Sequence, residues 1–108
     1  MRALRRLSVA AYALVIAAAV LFFCSKSSPG YPINDWTDAN IYFTIGKAMT
    51  QSQVVYRDLY DHKGPLLYAL HALCALISFG DFTGVYLMEV CLAALFLTGA
   101  YRLMVLYG

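Results

Sequence analysis

The sequence predicts an all-α membrane chain, with three transmembrane helices and an amphipathic surface helix in the first external loop. Three observations lead there. Of 108 residues, 62% are hydrophobic and 13% charged, whereas a soluble domain is nearer half apolar and a quarter charged. The apolar residues gather into three runs that take up most of the chain. The polar residues gather into one stretch, numbers 25–64, between the first and second runs. A net charge of +2, with no basic block beyond the first six residues, does not suggest nucleic acid as a partner. Cys24, Cys74 and Cys91 are odd in number, widely spaced, and within or at the edge of apolar runs. That is neither a disulfide framework nor a zinc spacing, and they read as small membrane-buried side chains.

The first run, 7–24, follows Arg2, Arg5 and Arg6. Roughly eighteen residues rise about 27 Å, enough for one crossing of a ~30 Å hydrocarbon layer with slight thinning. Three arginines on one flank place that flank in the cytoplasm of a plasma (inner) membrane. A cleaved signal peptide shares the basic start and apolar middle. Phe22 and Phe23, before Cys24, stand where signal or lipoprotein processing requires small residues, so an uncleaved anchor is expected.

In the loop, Ser25-Lys-Ser-Ser-Pro-Gly30 is a flexible exit and Pro32 keeps the chain extended. From Asp38 to Thr50 the apolar Ile41, Tyr42, Ile45, Ala48 and Met49 recur at helical spacing. This predicts a short amphipathic helix lying on the membrane surface. Val54-Val-Tyr56 reads as extended and leads to Asp61-His-Lys-Gly64.

Pro65 suits the first turn of a helix, because its missing N–H would be unpaired there anyway. The second helix, 65–79, is short for a full crossing. Gly80-Asp-Phe-Thr-Gly84 is a tight turn, and the third helix, 84–107, is long enough to span. With the amino terminus inside, the loop lies outside, the Gly80 turn inside and the carboxyl end outside.

The charged residues of the loop are the candidates for chemistry. Asp38 opens the amphipathic helix and is either a cap for first-turn N–H groups or a general base for an attacking hydroxyl. Asp35 reads as a solvated loop residue or a second cap. Lys63, just before the helix that Pro65 begins, either snorkels at headgroup level or binds a phosphate together with exposed helix-start N–H groups. His62 assists by a hydrogen bond in the latter case, Arg57 adds positive charge, and Asp61 orients Lys63 or His62. His71 and Glu89 are ionisable groups at membrane depth, which are costly and default to function or to buried pairing. Glu89, placed towards the inside end and far from the loop, is expected to make a structural hydrogen bond. Arg102 is placed near the outer end of the third helix, within reach of headgroups. No His, Cys, Asp or Glu set has a recognised metal-ligand spacing, so no cofactor is expected.

The stretch Asp38-Ala-Asn-Ile-Tyr42, then Gly46 and Met49, Tyr56-Arg-Asp58, and Tyr60-Asp-His-Lys-Gly-Pro-Leu-Leu-Tyr68 resembles the first external loop of the GT-C membrane glycosyltransferases. The likeness is to the family 39-like group, which includes protein O-mannosyltransferases and the lipid A aminoarabinose transferase. The order of basic start, helix, acid, amphipathic helix and Lys-x-Pro also resembles theirs and covers essentially the whole chain. The resemblance implies transfer of a sugar from a polyprenyl-phosphate carrier to an acceptor hydroxyl on the external face, usually with inversion. It implies Asp38 as catalytic base and Lys63 as carrier-phosphate ligand; His62, Arg57 and Tyr42 are the further candidate substrate contacts in this sequence. Ala39 stands where many members have a second acid, and Gly64 where a proline is common. Family members are several times longer, so the chain is expected to be an amino-terminal portion, inactive alone. The competing expectations are a small non-catalytic membrane adaptor packed against a larger protein and, more weakly, a piece of a transporter using His71 and Glu89.

Overall fold

The computed structural model describes residues 1–59 and 61–108 and is all-helical, with helices α1 (Arg2–Cys24), α2 (Thr37–Thr50), α3 (Pro65–Ile77) and α4 (Thr83–Tyr107). Among the described residues the only β contact is an isolated bridge between Val55 and Leu59. α1 starts at Arg2 rather than Leu7 because Arg, Ala and Leu are good helix formers and need no lipid to hold the turn. α2 matches the expected surface helix within a residue. α3 starts at Pro65 as expected and stops at Ile77, where Ser78 turns extended. Asp81 fixes the start of α4 by accepting the Thr83 backbone N–H at 2.9 Å while its other neighbour, the Ser78 hydroxyl, closes the turn. Those two donors hold its carboxyl below the usual carboxylate range, the hydroxyl first.

α1 and α4 are each long and apolar enough to cross a membrane. Their 23 and 25 residues rise about 34 and 37 Å. α3, with 13 residues, rises only about 20 Å against a hydrocarbon layer of ~30 Å. A third span is therefore not shown.

The two long helices pack antiparallel. At one end the Arg5 guanidinium points to the Tyr101 hydroxyl at 3.5 Å. At the other, Tyr86 Oη donates to the Ala18 carbonyl at 2.7 Å, and Ser25 Oγ donates to Glu89 Oε2 at 2.5 Å. Between them Ala13 and Ala17 lie against Tyr86, Val90 and Ala94. The alanines let the backbones approach closely, as small residues do where no hydrophobic contrast with lipid drives association.

This arrangement corrects the expected order of ends. The Gly80 turn lies at the loop end of the helix pair: Lys26, Ser27 and Asn34 share one concavity with Gly80–Thr83. The carboxyl end of α4 lies beside the arginines of α1. Glu89 is thus near the loop rather than far from it, and Arg102 is at the basic end rather than the outer one. Hydropathy reports the length of each run but not its neighbour, and the error entered there.

α2 and α3 form a second pair attached at the loop end. Phe43 of α2 and Cys74 and Ala75 of α3 share a core with Val85 of α4, with Phe82 and Met88 packed against it. The Phe43 and Phe82 rings sit 4.8 Å apart. No α3 residue enters the α1–α4 cluster. The long axis of 51 Å exceeds the ~37 Å of α4, and the α2–α3 pair supplies the difference.

Two glycines permit this packing. A Cβ on Gly46 would meet the His71 carbonyl carbon at 2.6 Å, and one on Gly84 would meet the Cys74 carbonyl oxygen at 2.3 Å. Gly99 has nothing within 4 Å. Gly46→Ala and Gly84→Ala should each destabilise the fold by about 1–3 kcal/mol. Gly99→Ala should be neutral or stabilising by up to ~1 kcal/mol. Reversible unfolding in detergent measures all three; equal behaviour at the three sites would contradict the packing.

Candidate functional site

The sequence around Lys63 folds into a knot of tyrosines. Tyr68, in the first turn of α3, is fully buried. Its Oη accepts the Lys63 backbone N–H at 3.1 Å and donates to Asp61 Oδ2 at 2.8 Å. The Tyr56 hydroxyl donates to the Lys63 carbonyl. Both backbone groups of Lys63 are therefore held by phenols, while its side chain is exposed and has no polar partner among the described residues. Gly64 caps α3 with extended backbone and Pro65 follows at the first position, so Lys63 immediately precedes a helix start, where backbone dipoles favour an anion.

The loop that delivers Tyr56 is built by Asp58. Its carboxylate accepts the Val54 N–H at 2.7 Å and takes a two-pronged contact from Arg57, at 2.8 and 2.9 Å. Arg57 lowers the Asp58 carboxyl, followed by the Val54 N–H. Tyr56 itself sits at φ 68°, a left-handed conformation that costs a bulky side chain of order 1–3 kcal/mol. The hydrogen bonds to Lys63 and from Tyr56 N–H to the Leu59 carbonyl (2.6 Å) oppose that cost.

Asp61 is held below the usual carboxylate range by the Tyr68 hydroxyl first and then by the His62 backbone N–H. His62 also places Nδ1 at 3.0 Å from Asp61 Oδ1. The Tyr68 phenol is pushed up to about 12, by burial first and by Asp61 second.

Asp38 is exposed in the first turn of α2, at the second helical position. Trp36 is the cap residue and makes no side-chain capping bond, and the Asp38 carboxylate has no hydrogen bond among the described residues. Asn34 accepts the Trp36 N–H at 3.1 Å and Asn40 donates to the carbonyls of Asn34 and Trp36, which ties the chain ahead of α2 to its first turn without capping the first-turn N–H groups. Asp35 is in an ion pair with Lys26 rather than simply solvated.

Tyr42 links the two halves. It lies one turn beyond Asp38 on the same face of α2, since residues four apart are neighbours on a helix. Its ring is 6.3 Å from Tyr68 and 5.8 Å from His71. The structure thus brings Lys63, His62, Asp61 and Tyr42 together around Tyr68. No hydrogen bond or ion pair among the described residues joins Asp38 to Lys63, and Arg57 is committed to Asp58. His71 is buried and bonded through Nδ1 to the Leu67 carbonyl at 2.8 Å, Glu89 is held by Ser25, and no hydrogen bond joins the two among the described residues. Among the described residues no three His, Cys, Asp or Glu side chains converge as a metal site. Tyr60, part of the Asp61-His-Lys motif, lies outside the described residues. Residue type alone assigns Tyr68 and Tyr56 no role; their signal in the sequence is the placement of two tyrosines on either side of Lys63.

The shifts at Asp61 and Tyr68 predict how pH acts on the site. Asp61 is lowered on folding, so its contribution is full above the ordinary carboxylate value of about 3.9 and is lost as pH falls through the depressed one. Tyr68 is raised, so its contribution is full below about 10 and is lost as pH rises towards about 12. Exchange protection of the Lys63 amide should be flat between these limits and fall outside them, and Tyr68→Phe should remove it at every pH; protection unaffected by Tyr68→Phe would contradict the clamp. Comparison with protein-family models, curated proteins and solved structures finds no match to this chain.

Proposed function

We propose that the chain is the amino-terminal portion of a membrane glycosyltransferase of the GT-C, family 39-like kind, moving a sugar from a polyprenyl-phosphate carrier to an acceptor hydroxyl. One observation carries the reading. The lysine that the resemblance marks as the phosphate ligand, just before a helix start, has a clamped backbone and an exposed side chain with no polar partner among the described residues. A lysine that served only to pin the loop would spend its ammonium on a carboxylate, and Asp61 is near in sequence yet bonds Tyr68 and His62 instead.

In the proposed mechanism Asp38 takes the proton of the acceptor hydroxyl as the oxygen attacks the anomeric carbon. The carbon–oxygen bond to the carrier phosphate breaks, its electron pair goes to the phosphate, and Lys63 stabilises that charge. The uncapped carboxylate of Asp38 suits a base, because hydrogen bonds from helix-start N–H groups would hold the charged form and weaken it. His62 lies next to the anion, and Tyr42 lines the face between the two groups. Arg57 acts through the loop it builds with Asp58.

We further propose a two-span topology for this region. α1 leaves the cytoplasm, α2 and α3 lie at the external surface, and α4 returns. This orientation places all four arginines of the helix pair inside, as the distribution of positive charge in membrane proteins requires, and puts Asp38 and Lys63 on the external side.

In the protein expressed from its complete gene, Asp38→Asn should lower transfer by about 10²–10⁴-fold, the usual worth of a general base, with membrane insertion intact. Lys63→Gln should lower transfer and weaken retention of the polyprenyl-phosphate donor, whereas Arg57→Gln should disturb loop order more than donor affinity. Transfer assays with donor titration check all three, and normal turnover by Asp38→Asn would overturn the reading.

A further inference from the structure

The antiparallel pairing of α1 and α4 gathers four guanidinium groups at one end of the molecule. Arg2, Arg5 and Arg6 from α1 and Arg102 from α4 line a groove of about 590 Å³ together with Tyr101 and aliphatic side chains such as Val105. α1 contains no acid, and the only acid of α4, Glu89, is held by Ser25 at the opposite end. None of the four arginines is in an ion pair among the described residues. The chain as a whole carries +2, so this end, at +4 from the arginines alone, is balanced by −2 over everything else. All six acidic residues, Asp35, Asp38, Asp58, Asp61, Asp81 and Glu89, lie away from it.

Four like charges in one groove repel each other unless an anion joins them. Guanidinium forks match phosphate oxygens two at a time, and the Tyr101 hydroxyl, 3.5 Å from the Arg5 guanidinium, lines the same groove. The aliphatic wall beside the charges suits an acyl chain rather than water. A soluble phosphate would use the arginines and leave that wall bare.

We propose that this groove binds the headgroup of an anionic phospholipid of the facing leaflet, its phosphodiester among the arginines and its acyl chains along α1 and α4. The site is separate from the carrier-phosphate position at Lys63. It rests on the membrane reading of α1 and α4 but not on sugar transfer. The negative surface potential of a cytoplasmic leaflet would fill it and so hold the two helix ends together.

The full chain, reconstituted in phosphatidylcholine nanodiscs with graded phosphatidylglycerol, tests this by counting lipid retained on the released protein by native mass spectrometry. Phosphatidylglycerol should be retained over phosphatidylcholine, and about tenfold less by Arg5→Gln/Arg102→Gln. Arg2 and Arg6 remain in that variant to keep the orientation. Lys26→Gln/Lys47→Gln removes equal charge at the other end and should leave retention unchanged. Millimolar glycerol phosphate should not displace the lipid. Equal retention of the two lipids, an equal loss in both double variants, or displacement by glycerol phosphate would overturn the proposal. A failure of sugar transfer with lipid retention intact would leave it standing and count against the transferase reading alone.

Discussion

The packing of α1 against α4 decides where everything else lies. Ala13 and Ala17 present almost no side chain, so Tyr86, Val90 and Ala94 settle close to the α1 backbone, and Tyr86 reaches the Ala18 carbonyl. That carbonyl already serves its own helix, and a second donor occupies its free lone pair without breaking the ladder. Glu89 would be costly on an apolar helix were it unpaired; the Ser25 hydroxyl at 2.5 Å gives it a partner at the point where α1 ends. Because these contacts run antiparallel, both connections out of the pair leave from one end. α2 and α3 are then packed together there, and the charged residues of the loop follow them.

Much of this was legible in the sequence, and the parts that were not share a cause. The long helices follow from run length, the start of α3 from Pro65, and the helical span of α2 from the spacing of Ile41, Tyr42 and Ile45. These are properties of one segment and need no partner. The number of crossings is different, since it depends on which helices pair. A short apolar run such as 66–77 fits a tight crossing or a helix packed on its neighbour equally well by composition. The second is what Phe43, Gly46, Cys74 and Gly84 build here, through contacts between residues far apart in number. The ends at which Glu89 and Arg102 lie follow from the pairing of α1 with α4 and not from run length.

The candidate site divides in the same way. That Lys63 precedes a helix start can be seen in Lys-Gly-Pro. That its backbone is gripped by Tyr56 and Tyr68 cannot, because one hydroxyl arrives through a left-handed residue and the other from a buried side chain. Position alone leaves Asp38 open between cap and base, and only the structure shows that α2 carries no side-chain capping bond. Arg57 illustrates the reverse: a cation that composition offers to a phosphate but that geometry ties to the adjacent carboxylate.

Thiol labelling across an intact membrane measures directly whether the loop and the Gly80 turn share one end. With Cys24, Cys74 and Cys91 replaced by serine or alanine, Gln53→Cys, Gly80→Cys and Tyr107→Cys would each be exposed to a membrane-impermeant reagent. The antiparallel pairing predicts that positions 53 and 80 react from the same side and position 107 from the other. Reaction of position 80 from the side opposite to 53 would restore three crossings and contradict the pairing on which the fold, the lipid groove and the topology rest.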